Sequence, residues 1–234
     1  MYLSRIKLQF NKLLPGMLEK WHSATPYAAH QWLWQLFPEQ STRPFLFRLD
    51  AHGQFFMLST TPPVEQHALF KVETKSFNPQ LAPGMILDFQ LRANPVVTRN
   101  KKRSDVMMDA KYHAKVQGIP QQQWWALQQQ AAARWLETQG ERHGFCLMAP
   151  EPDALALWAG EALSEPPAET ACVKTCQQHS FIRRNQDAPI TFSSVDFAGT
   201  LRVTDVSLFE QALAGGLGKS KALGCGLLMV KRAR

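Results

Sequence analysis

Apolar and polar positions alternate at the start of the chain. Tyr2, Ile6 and Leu8 share one parity and Arg5 and Lys7 the other, which predicts a half-buried strand. Asn11–Ser23 shows no clear period and reads as a loop with room for one helical turn. The stretch "TPYAAHQWLWQLFP" (Thr25–Pro38) predicts a helix, with Thr25 as cap, Pro26 at the first position and Pro38 as stop. On that helix Ala29, Leu33, Leu36 and Phe37 form the apolar face, with Tyr27, His30 and Trp34 beside it. "RPFLFRLD", the turn "AHGQ" and "FFMLST" predict a hairpin. A short helix is expected in "PPVEQHALFK", and "GMILDFQLRANP" returns to strand alternation through Met85, Leu87, Phe89 and Leu91. The resulting order is βαββαβ, a ferredoxin-like unit.

A looser second copy follows. Pro95–Arg99 is its expected first strand, and the lysine-rich 100–116 an exposed excursion. Pro120–Gly140 is a helix opened by proline and closed by glycine. Phe145–Met148 is a short strand, Pro150–Pro167 an insertion, and Ala171–Arg183, Ile190–Val195 and Phe197–Thr204 are strand-like. "SLFEQALAGG" carries a capping box, Ser207 with Glu210, before a glycine stop, and "CGLLMVKR" closes as a strand. The expectation is an α+β protein of two tandem ferredoxin-like (βαββαβ, RAMP-type) domains, residues 1–93 and 94–234.

Composition narrows the partners. The 234 residues, 45% hydrophobic, can bury a real core, and a formal charge of +7 favours an anionic partner such as nucleic acid. The basic excess gathers in Thr98–Asp105, Phe181–Asp187 and the tail, while Glu151–Glu169 is acidic and proline-rich. Cys146, Cys172, Cys176 and Cys225 contain no CxxC pair, which argues against zinc and for reduced thiols in a cytoplasmic protein. The sequence has no leader pattern and no apolar run near the eighteen residues of a spanning helix, so no membrane partner is expected.

Two stretches carry chemistry. In "GGLGKSKALGCGLLMVKR" (215–232) the tripeptide Gly218-Lys219-Ser220 mimics the end of a P-loop. The pattern G-x4-G-K-[ST] then requires glycine at 213, where Leu213 stands, and here a helix precedes the loop and a strand follows it. No nucleotide cofactor is therefore expected. Glycines 215, 216, 218, 224 and 226 with Lys219 and Lys221 between them suit a loop whose amides approach a phosphate backbone, although a simple turn also uses glycine. On the first helix, Tyr27 and His30 are i,i+3 neighbours able to put a phenol and an imidazole around one reacting group. His22, His52, His67, His113, His143 and His179 show no ligand spacing, so no metal is expected.

"MYLSRIKL", "YAAHQWLWQLFP", "RPFLFRLD", "FQLRANP" and "GGLGKSKALGCGLL" together resemble, in order and spacing, the CasE family, the repeat-RNA endoribonucleases of type I-E CRISPR systems. The likeness is densest in the first 95 residues and the last 40. It implies two ferredoxin-like domains, a repeat-derived hairpin RNA as substrate, metal-free cleavage at the 3′ base of the stem, no cofactor, and retention of the product with the other Cascade subunits. It also implies that His30 is the catalytic histidine, Tyr27 the active-site tyrosine, and Gly216–Gly226 with Lys221 the glycine-rich RNA loop, so that Gly216, Gly218, Lys219, Lys221 and Gly224 contact RNA. Lys101, Lys102, Arg103, Lys111, Lys115, Arg183 and Arg184 are further candidates for phosphate contact. Arg92 is either structural or an RNA contact. A non-catalytic RNA-binding subunit, or a protein-interaction module of the same fold, remains a rival, because fold does not imply activity.

Overall fold

The computed structural model describes residues 1–50, 52–99, 102–148, 172–182 and 188–233, with the side chains of Arg99, Lys102 and Cys172 left aside. Strands β1 (Tyr2–Leu8), β2 (Phe45–Leu49), β3 (Gln54–Ser59) and β4 (Phe70–Ser76) form an antiparallel sheet in the order β2-β3-β1-β4. In the β2–β3 turn the Asp50 carboxylate accepts from the amides of His52 and Gln54, each at 2.8 Å, and Gly53 takes φ +74°. The apolar parity read from the sequence faces inward. Ile6, Leu8, Phe45, Phe47, Phe55 and Met57 pack on Ala28, Ala29 and Leu33 of helix α1 (Pro15–Trp34) and on Leu36 just beyond its end.

Helix α1 begins ten residues earlier than Thr25, inside the expected loop, with Pro15 at its first turn. It bends at Ala24, which has φ −148° and ψ 47°, because Pro26 lacks an N–H and its ring cannot sit against the carbonyl one turn back. Ala24, not Thr25, is the residue out of helical conformation, and the Thr25 hydroxyl instead donates to the Trp21 carbonyl. The bend is sharp. Trp21 and Trp32 would stand about 16 Å apart along a straight helix, yet their rings stack at 5.4 Å. The helix ends at Trp34, before Pro38.

No helix forms over 62–71. Two prolines and few apolar residues leave nothing to nucleate one, and Phe70 is used instead as a buried strand residue opposite Leu8. Phe70–Ser76 therefore closes the first sheet. The strand expected to do so, β5 (Ile86–Ala93), pairs in the second sheet with β10 (Ile190–Val203) and β11 (Leu228–Arg232). The chain thus changes sheet between Ser76 and Ile86, ahead of the expected boundary at 93/94.

The second sheet has the order β11-β5-β10-β8, where β8 is Phe145–Leu147, and β9 (Cys172–Phe181) pairs with the first half of β10. Between them run α3 (Trp124–Arg142) and α4 (Val206–Gly215), so β5-α3-β8-β10-α4-β11 repeats the βαββαβ order. Residues Val96–Arg99 are not its first strand. As β6 they form a ribbon with β7 (Lys102–Asp105), followed by α2 (Val106–Val116), whose Val106, Met107 and Ala114 are buried. The two expected strands at 190–195 and 197–204 are one, with an irregularity in its pairing to β9 at Asp196/Phe197. Helix α4 is capped by Asp205, whose carboxylate accepts from the Leu208 amide at 2.9 Å, two positions before the expected Ser207–Glu210 box. Both units are ferredoxin-like, the first without its second helix.

One ionic cluster joins them. The Arg92 guanidinium donates from Nε and Nη2 to the two Asp196 carboxylate oxygens, both at 2.8 Å, and from Nη1 to the Leu49 carbonyl at 3.2 Å. Arg48 approaches the same carboxylate at 3.6 Å. Arg92 and Asp196 belong to the second sheet, Arg48 and Leu49 to the first, so this arginine is a structural clasp.

Candidate active site and nucleic-acid interface

The second half of α1 carries His30 and Tyr27 into one cavity of about 500 Å³, lined also by Gln31, Trp34, Phe181, Ile190, Ala222 and Leu223. Both units contribute. The first supplies the helix, and the second supplies the ends of β9 and β10 and the 3-10 turn Lys221–Leu223, which packs against α1. The His30 ring is half-buried among Trp34, Phe45 and Phe47, with centroids 5.8, 6.1 and 6.5 Å away. Burial lowers its pKa below the usual 6.5, and the positive charge of Arg43 lowers it further, so the imidazole is neutral at pH 7.

Tyr27 is held on several sides. Its hydroxyl accepts from the Gln31 amide at 2.9 Å, and its ring stacks on Phe181 at 6.3 Å. The Lys20 ammonium lies 5.4 Å from the ring centroid and donates to the Gln31 carbonyl oxygen. Sequence reasoning missed Lys20, because only the bend in α1 returns residue 20 to residues 27 and 31. Only the helix that carries it had a signal: Pro15 at a helix start, followed by Met17, Leu18 and Trp21 at helical spacing.

The glycine-rich loop is a closed piece of packing. Gly216 ends α4 with φ +72°, and a Cβ there would stand 2.8 Å from both the Gly226 carbonyl and the Leu46 side chain. Gly226, at φ +94°, would place a Cβ 2.9 Å from the Leu217 carbonyl. The amides of Gly216, Leu217 and Gly226 donate to the carbonyls of Ala212, Gly226 and Arg92, at 2.8, 3.0 and 2.7 Å. Gly218 lies close to Asn94 and Trp135, and Gly224 to Phe47. These glycines thus answer first to close backbone approach within the protein. Lys221 donates to the Gly215 carbonyl at 2.7 Å, while Lys219 is exposed.

The basic candidates divide. Arg103 and Lys219 line one cavity with Asn94 and Ser220. Lys111 and Lys115 stand exposed on α2, with Lys111 over the Trp124 ring at 5.7 Å. Lys101, Arg183 and Arg184 lie outside the described residues, as does the Lys102 side chain. Arg43 was not foreseen. It is close enough to lower the pKa of both His30 and Lys221, after burial in each case, and Lys219 also acts on Lys221. Positive potential thus extends from the His30 cavity to the glycine-rich loop. A lone arginine before a strand offers no spacing signal, so only the fold reveals it. Among the described residues no group of three or more His, Cys, Asp or Glu could hold a metal ion, and Cys146, Cys176 and Cys225 are free thiols.

Residues 1–232 match the family of CRISPR associated proteins. The CRISPR system Cascade subunit CasE of Escherichia coli strain K12 is 26% identical over 212 residues, covering 86% of this chain and 89% of that protein. Thermus thermophilus Cse3, solved bound to an RNA representing a pre-cleavage complex, aligns over 98% of both chains with a TM-score of 0.67 and 22% identity. The CRISPR-associated protein Cas6e from E. coli K-12 aligns over 100% of both chains with a TM-score of 0.54 and 22% identity. The two solved structures share this fold.

Proposed function

The chain belongs to the family of CRISPR associated proteins, and from that premise we propose that it is a metal-independent endoribonuclease that cuts CRISPR precursor RNA at the 3′ base of the repeat hairpin. It then stays on the product with the other subunits of a Cascade complex, in the cytoplasm, where such RNA is made. The names of its relatives support the reading: a Cascade subunit, and an endoribonuclease solved with RNA. The observation that carries it is the joint placement of His30 and Tyr27 in one cavity whose other wall is the turn of a lysine-bearing loop.

RNA brings its own nucleophile, the 2′-hydroxyl, so the protein must align it, move protons and stabilise negative charge on the phosphorane. Neutral His30 accepts the 2′-OH proton as that oxygen attacks phosphorus. Tyr27, anchored by Gln31 and Phe181, positions the reacting groups by hydrogen bonding. As the bond from phosphorus to O5′ breaks, the leaving oxygen takes a proton from solvent water while His30 returns its proton to solvent, so the upstream piece keeps a 2′,3′-cyclic phosphate and the downstream piece a 5′-OH. Arg43 and Lys219 supply the positive field. Lys101, Lys102, Arg103, Lys111, Lys115, Arg183, Arg184 and Lys221, with the loop glycines 216, 218 and 224, remain the proposed wider contact surface for the hairpin.

The test is cleavage of a labelled cognate hairpin in EDTA by wild type and by His30→Ala. Wild type should cut and the variant bind without cutting, with a rate at least a thousandfold lower, on the order expected for loss of a proton-transfer group. Equal cutting would remove His30 from the mechanism. Binding by both with cutting by neither would favour the non-catalytic RNA-binding subunit.

A further inference from the structure

Phe181, stacked on Tyr27, and Leu223 form a wall between two cavities. On one side is the His30 cavity. On the other, a cleft of about 420 Å³ lies between the bend of α1 (His22, Ser23, Thr25) and the β9–β10 ribbon (Gln177, Gln178, His179, Ser194). Phe181 and Leu223 line both. We propose that this second cleft is a base-binding site for the unpaired nucleotide one step along the RNA from the scissile phosphate, a reading that rests on the nuclease function above.

The chemistry fits a base rather than a phosphate. The cleft has apolar lining from Ala29, Phe47, Leu49 and Cys225 and polar side chains from β9, as small-molecule sites do. Its strongest cation, Arg92, is already neutralised by the bidentate Asp196 and the Leu49 carbonyl. His179 is stacked on Phe192 at 4.5 Å and shares a hydrogen bond from Nε2 with Ser194 at 2.8 Å, which fixes its ring and leaves Nδ1 as its remaining polar atom. Gln177, on the same face of β9 as His179 and opposite Ser194, presents an amide with both donor and acceptor. A flat aromatic wall, a fixed imidazole and an amide are the parts by which unpaired bases are stacked and read. Position supplies the occupant, because a strand whose phosphate lies at His30 has its next base within reach of Phe181, whose ring both cavities share.

Binding is measured with repeat hairpins blocked by 2′-deoxy substitution at the cleavage site and made abasic at the nucleotide on either side. An abasic nucleotide at one of the two positions should weaken wild-type binding about tenfold. Gln177→Ala, an exposed change, and His179→Ala should each weaken the intact hairpin, and the abasic penalty should largely vanish in them. Equal binding of intact and abasic hairpins by wild type, or penalties that simply multiply in the variants, would overturn the site. The blocked hairpin separates this from the function above: abasic-sensitive binding by a protein that leaves the all-ribose hairpin uncut sinks the nuclease reading alone.

Discussion

The imidazole of His30 owes its state to what surrounds it. Burial beside Trp34, Phe45 and Phe47, and then the charge on Arg43, hold its pKa below 6.5. A base with a lowered pKa binds its proton only at lower pH, so the acid limb of single-turnover cleavage should have its midpoint below pH 6.5. Arg43→Ala removes a charge that opposes protonation, so the acid limb should move upward in pH; a limb that stays put or moves down would separate Arg43 from the imidazole. A sequence can offer the i,i+3 pairing of Tyr27 with His30, because helical spacing alone determines it. It cannot offer Arg43, which reaches the histidine only through the approach of β2 to α1, nor Lys20, which depends on the bend at Ala24.

Among the elements, the bent helix and the glycine-rich loop hold the cavity open on opposite sides. Trp21→Ala removes the stack that folds the first half of α1 onto the second. It should cost about 3 kcal/mol, a fall of roughly 6–12 °C in Tm, and should slow cleavage because Lys20 loses its register with Tyr27 and Gln31. Full activity in this variant would show that the first half of the helix is dispensable to the site. Gly226→Ala combines a positive φ with a Cβ 2.9 Å from a backbone carbonyl, so it should lower stability by about 2 kcal/mol, read by denaturant midpoint. Strands such as β1 and β5 announced themselves by alternation with one face solvated, whereas β4, which alternates too, was missed because its first residues were given to a helix. The helix expected at 62–71 failed because Phe70 serves a strand and two prolines open the segment. The break expected near Asp196 is an irregularity in the pairing with β9, while β10 runs on beside β5, and both readings turn on a partner distant in sequence.

For the whole molecule, the Asp196 cluster decides whether the two units act as one body. Burial pushes the Asp196 carboxyl up, but the hydrogen bonds and charge of Arg92, with Arg48 and Thr175, outweigh it, so the net shift is down. Its contribution is therefore complete above the ordinary carboxylate range, near pH 4, and is lost as pH falls through the lowered value. Asp196→Ala leaves two arginines facing each other and should destabilise by about 3 kcal/mol. In acid titrations it should remove part of the wild-type loss of stability below pH 4. An unchanged acid profile would mean that Arg92 and Asp196 are not paired in solution. The tandem architecture was legible from the order of elements, but the ownership of Ile86–Ala93 was not, since a strand's parity does not say which sheet it joins.

The far wall of the His30 cavity, Ala222 and Leu223, comes from the turn that leads into β11, whereas His30 stands on the first helix. Made amino end first at about 5–20 residues per second, a growing chain carries its imidazole into the cell roughly 10–40 s before the residues that complete the cavity. During that interval the nascent protein holds the imidazole without the pocket that aims it. A nuclease working as proposed would thereby be silent on the ribosome, cutting only after the second sheet has closed.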